Sequence, residues 1–73
     1  MKVIIGQSAY EMTAKQLNGV LEAARRQVPF GIYAVKKGRI CELHNDEFNS
    51  KEDLLAEVER YSQKGFKVYY NAD

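Results

Sequence analysis

The chain has 73 residues, room for one small domain and no second core. Apolar residues make up 45%, and 11 Lys and Arg against 10 Asp and Glu leave a formal charge of +1, which excludes an acidic disordered segment and a strongly basic nucleic-acid tail. One cysteine excludes an internal disulfide framework and a multi-cysteine zinc site.

Read in chain order, Val3-Ile4-Ile5 is a short apolar run closed by Gly6, which suits a first strand, and Gln7 to Met12 reads as a polar connection. Thr13 has Gln16 three residues on, with Met12 and Leu17 at the flanking apolar positions, a capping box with a hydrophobic staple. Leu17, Val20, Leu21, Ala24 and Val28 continue at helical spacing, so the first helix is predicted from Ala14 to Gln27, with Pro29 preventing its continuation. Arg25 and Arg26 complement its C-terminal dipole. Phe30 to Val35 and Arg39 to Leu43 are two β-type runs that form a hairpin. With Lys37-Gly38 as its loop, Val35 pairs with Ile40 and Ala34 with Cys41, which puts Phe30, Ile32, Ala34, Cys41 and Leu43 on one face and Tyr33, Val35, Ile40, Glu42 and His44 on the other. Ser50 and Asp53 open a second helix with Leu54, Leu55, Val58 and Tyr61 as its apolar stripe and Gly65 as its left-handed terminator. Phe66 to Tyr70 is the last strand.

The order β-α-β-β-α-β predicts a single α+β domain over residues 1–73. The expected fold is a ferredoxin-like sandwich, a four-stranded antiparallel sheet in the order 4-1-3-2 with both helices on one face. Its other face would then display Lys2, Ile4, Tyr33, Val35, Ile40, Glu42, His44, Lys67 and Tyr69 with nothing left in the chain to cover it. Apolar groups at the middle of a solvated face mark an interaction surface. The expectation is therefore a non-catalytic module that binds a protein partner or forms a homodimer through Ile4, Tyr33, Val35, Ile40, Glu42 and Tyr69. No apolar run reaches the ~18 residues of a transmembrane helix. The start, Met1 to Gly6, is too short for a signal-peptide core, so the expected location is the cytoplasm, without a membrane partner.

Two alternatives use other residues. Tyr33 and Tyr69 form a stacking platform for single-stranded nucleic acid, with Lys2 and Lys67 beside it for phosphate. Lys64-Gly65-Phe66-Lys67-Val68-Tyr69-Tyr70 is a loose version of the aromatic signature of RNA-recognition motifs, but it lies on the last strand rather than the third. The second alternative is a small-ligand or nucleotide site at Gly6, Gln7 and Ser8, where a connection leading to a helix N-terminus offers backbone N–H groups to an anion. That segment lacks the second glycine and the lysine of a P-loop. The chain also lacks the arginine-bearing loop of acylphosphatase-like enzymes and the Cys-x-x-Cys of metallochaperones; an amino-acid-binding role like that of ACT domains matches in topology only.

No catalytic constellation or cofactor site is expected. His44, the one histidine, and Cys41 lie three apart on a strand and point to opposite faces, so they cannot act as a nucleophile and base pair. Cys41 reads as a small buried apolar residue, and His44-Asn45-Asp46-Glu47 as a polar loop in which nothing fixes a metal geometry for Glu42, His44 and Asp46.

The segments Val28-Pro29-Phe30-Gly31-Ile32-Tyr33-Ala34-Val35 and Lys64 to Tyr70 resemble small uncharacterised reading frames of bacteriophages and prophages of Gram-positive bacteria. That resemblance implies a non-catalytic accessory protein, often one that binds and inhibits or redirects a host factor, and carries no site residue over to this chain.

Overall fold

The structure, a computed structural model, describes residues 1–73 and contains seven elements. They are β1 Lys2–Ile5, β2 Ser8–Glu11, α1 Ala14–Gln27, β3 Gly31–Lys37, β4 Ile40–Glu47, α2 Lys51–Gln63 and β5 Lys67–Asn71. The helices form where their caps require. Thr13 Oγ1 accepts from the Gln16 N–H at 3.2 Å while the Gln16 side chain accepts from the Thr13 N–H at 3.0 Å, closing the expected box. Ser50 Oγ accepts from the Asp53 N–H at 3.2 Å, and Gly65 follows α2 at φ +89°.

One strand was not expected. Gly6, at φ +63°, and Gln7 make a two-residue turn, and the residues after them run back along β1 with Ile5 opposite Ser8 and Lys2 opposite Glu11. The polar connection is therefore a turn and a strand. The sheet has five strands in the order β2-β1-β4-β3-β5, with β1 and β4 parallel and every other neighbouring pair antiparallel. This α+β architecture corrects the ferredoxin-like expectation in four respects: strand number, a mixed sheet with parallel β1 and β4 in place of an antiparallel one, pairing of the last strand with β3 rather than β1, and helix placement.

These corrections follow from β2. It reverses the chain before α1, which makes β1 parallel to β4, and it takes the free edge beside β1, which leaves the last strand the edge beyond β3. β2 and β4, where the two crossovers start, are antiparallel. Both crossovers travel the same way across the sheet, from β2 to β3 and from β4 to β5. Two right-handed crossovers that move the same way from antiparallel strands must lie on opposite faces. The core accordingly divides. On one face Val3, Ala34 and Cys41 pack with Leu17 of α1, joined by Met12, Leu21, Leu43, Tyr33 and Tyr69. On the other, Ile32 and Val35 pack with Leu54 of α2, joined by Phe48, Val58, Tyr61, Phe66 and Val68.

The hairpin also differs from its expected register. Its loop is Gly38-Arg39, with Gly38 at φ +62°, so Lys37 meets Ile40 and Ala34 meets Leu43. That slip of two residues leaves each side chain on its face. A bulge between Ile32 and Ala34 does not: it turns Tyr33 to the α1 side with Ala34 and leaves Ile32 on the α2 side with Val35. β4 continues through His44 to Glu47 instead of becoming a loop.

The C-terminal end of the sheet is tied to α1 by Asn71, whose Nδ2 donates to the carbonyls of Val28 at 2.8 Å and Arg25 at 3.0 Å. Asn71→Ala is expected to cost about 1–2 kcal/mol, the scale of a lost hydrogen bond with stranded acceptors. Asn71→Asp should cost more, because it sets a carboxylate against two carbonyl oxygens; equal melting temperatures for Asn71→Asp and wild type would overturn this account. At Gly31 a Cβ would stand 1.9 Å from the Asp46 carbonyl oxygen. Gly31→Ala should therefore be destabilised by about 1–3 kcal/mol, as for other overpacked sites, and melt at a lower temperature.

Candidate functional site

An α-helix is about 10–12 Å wide and strands lie about 4.8 Å apart, so one helix covers roughly two strands. α1 packs over β3 and β4 and reaches Val3 of β1, and α2 packs over β3 and β5, which leaves β2 open on both faces and β1 and the start of β4 open on the α2 side. The register places the side chains of this open region in rows. On the α2 side one row runs Glu11, Lys2, Ile40, Lys37, and the next runs Ala9, Ile4, Glu42, Val35, Val68.

The surface expected to bind a partner is thus half present. Ile40 is 43% exposed, and Ile4 and Glu42 are half-buried beside it. Val35 is 1% exposed, under α2 against Leu54, and is no part of any surface. Tyr33 and Tyr69 belong to the opposite face, Tyr33 because of the bulge and Tyr69 because it pairs with Ala34. Val35 is lost because α2 covers that part of the face assumed open, and the tyrosines because the bulge and the register of β5 set them on the other face. Between Ile40, Glu42, Lys37 and Phe66 lies a cleft of about 250 Å³, its far wall made by Phe66 with the Lys37 ammonium 5.3 Å from the ring centre.

Beside this cleft His44 sits between two carboxylates, with Nδ1 2.9 Å from Asp46 Oδ2 and Nε2 3.6 Å from Glu42 Oε2. Tyr61 meets the imidazole edge-on at 5.8 Å, and Phe66 meets Tyr61 likewise at 5.6 Å. The carboxylates occupy opposite ring nitrogens rather than converging on a common point, and no group of three or more His, Cys, Asp or Glu side chains gathers as a metal would require. Burial pushes the Tyr61 hydroxyl pKa up, and Asp46, Glu57 and Glu42 push the same way. Cys41 lies on the α1 face, across the sheet from His44.

The two alternative sites are dispersed. Tyr33 and Tyr69 do lie together, ring centres 6.1 Å apart, with the Lys67 ammonium 5.1 Å from the Tyr69 ring. Both rings pack against the α1-side core, however, and Lys2 is on the α2 side, so the four residues make no common platform. Gly6, Gln7 and Ser8 are the tip of the β1–β2 hairpin; the chain must run the length of β2 before α1 begins, so their N–H groups do not join a helix N-terminus.

Sequence reasoning missed Tyr10, which pairs with Val3, stands 48% exposed on the α1 side, and with Met12, Gly19, Val20 and Ala23 borders an open groove of about 540 Å³. The available signal was Gly6-Gln7 after an apolar run, the Gly-X form of a two-residue hairpin loop. Comparison with protein-family models, curated proteins and solved structures returned no match.

Burial raises the Cys41 thiol above its ordinary pKa, with Lys36 opposing and Glu42 adding. A folded pKa above the unfolded value gives stability that is complete below the ordinary thiol pKa of about 8.5 and is lost as pH rises through the folded one. Denaturation curves from neutral pH to about pH 10 should therefore show a decline that is shallower in Cys41→Ala. An identical slope in both proteins would remove burial of Cys41 as its cause.

Proposed function

We propose that this chain is a non-catalytic protein-binding module whose contact surface is the open half of the sheet, centred on Ile4 and Ile40 with Glu42 and Lys2 at its margin. The observation that carries this reading is the adjacency of two isoleucines on the α2 side of β1 and β4, where no helix covers them, next to the cleft walled by Phe66. An apolar centre with charged groups of both signs around it has the anatomy of a protein interface. An accessory role, directed at a larger cellular protein, is consistent with so small a chain and with its resemblance to phage reading frames.

A photo-crosslinking amino acid at position 40 tests the reading in cells that produce the protein. Position 40 should yield a discrete protein adduct that a probe at Lys51, on the exposed start of α2, does not, and Ile4→Glu should abolish it. Equal labelling from both positions, or transfer of the crosslink to nucleic acid, would exclude the sheet half-face as a protein-binding surface.

A further inference from the structure

The unpaired side of β2 offers hydrogen bonds that the fold leaves unmet. The Met12 N–H donates to the Met1 carbonyl at 2.9 Å, and Lys2, on the neighbouring strand, sends its own N–H the other way to Arg39. Hydrogen bonding alternates along an antiparallel strand, so Ser8, Tyr10 and Met12 turn their backbone groups toward β1 while Ala9 and Glu11 turn theirs outward. Ala9 and Glu11 therefore present two N–H donors and two carbonyl acceptors in the plane of the sheet. Natural edges are guarded by lysine, proline or a bulge. β2 has none of these, and its one charge, Glu11, is held by the Met1 ammonium at 2.6 Å; the opposite edge, β5, carries Lys67.

We infer that β2 pairs with β2 of a second copy of this chain, antiparallel and centred on Tyr10. In that register Ala9 of each copy exchanges both backbone hydrogen bonds with Glu11 of the other, which uses all four outward groups on each side. Other two-fold registers do less well: centring on Glu11 opposes two carboxylates, and centring on Ala9 sets Glu11 against Gln7 in the turn. Pairing through the same strand in both copies is isologous and closes as a dimer, whereas β2 against β5 would propagate into an open filament.

Four strand residues alone bury less than a specific interface needs, so side-chain contacts must add to the strand pairing. Tyr10 and its symmetry mate become directly opposed on the α1 face, where the groove bordered by Gly19, Val20 and Ala23 leaves room for the rings. Because the two-fold axis is perpendicular to the sheet, both α2 helices lie on one side. The two open half-faces then join into a single floor of six strands between them. The dimer itself does not depend on the partner-binding reading, and its test is separate.

The test is the mass of the intact chain by sedimentation and light scattering from low micromolar to millimolar concentration, with amide hydrogen exchange read in parallel. The expected result is twice the chain mass at the upper concentrations, and protection of the Ala9 and Glu11 amides that grows as the dimer forms. Ala9→Pro removes an outward N–H without touching a bond to β1, and Tyr10→Lys opposes two charges at the axis. Each should weaken association at least tenfold, while Ile40→Glu, on the half-face, leaves it unchanged. A single-chain mass at every concentration overturns the inference and leaves the half-face reading standing. A dimer broken by Ile40→Glu but not by Ala9→Pro or Tyr10→Lys, or one whose Ala9 and Glu11 amides exchange as in the monomer, overturns it as well.

Discussion

The reversal of the chain at Gly6 and Gln7 governs the arrangement of everything after it. A strand followed directly by a crossover helix would have left β1 antiparallel to β4 and its outer side free for the last strand. The reversal makes β1 parallel to β4 and sets β2 on that outer side, so β5 goes to the far edge beyond β3. The second crossover then travels the same way as the first from an antiparallel strand, and the handedness rule puts one helix on each side of the sheet. The turn needs a residue that adopts positive φ without cost, which Gly6 supplies at φ +63°.

The second constraint is local and concerns one residue. In a regular strand Tyr33 would share a face with Val35, and Ile32 with Ala34. The bulge at Tyr33 lets Tyr33 and Ala34 both serve the α1 core while Ile32 and Val35 both serve the α2 core, so β3, the strand that both helices cover, contributes two side chains to each, all buried except the half-buried Tyr33. A central strand between two helical layers needs apolar side chains on both faces, and the run Ile32-Tyr33-Ala34-Val35 supplies them continuously.

The functional surface is a consequence of width. Two helices, one per face, cannot cover five strands, and what they leave open is β2 together with the α2 side of β1 and the start of β4. Ile40 remains exposed beside a half-buried Ile4 on one side and Tyr10 on the other, while the outer backbone of β2 has no neighbour. The feature that settles the topology thus also leaves these surfaces open. His44, enclosed by Asp46, Glu42 and Tyr61 at the border of the open half-face, completes its polar contacts within the fold.

By itself the sequence determined both helices with their caps, the central hairpin, the last strand, the burial of Cys41, and the presence of Ile4, Ile40 and Glu42 on one face. All of these rest on interactions within a few residues, such as the Thr13–Gln16 box, the period of Leu17, Val20, Leu21 and Ala24, and the alternation along Arg39 to Leu43. Only the tertiary structure decided that Ser8 to Glu11 is a strand. Apart from its turn the segment has no β-branched residue and no buried side chain to announce it, and its strand geometry comes from pairing with β1. The positions of Val35, Tyr33 and Tyr69 depended on that decision and on the bulge. Which face of a sheet a helix covers is set by the relative direction of distant strands, a property that no local pattern of residues carries.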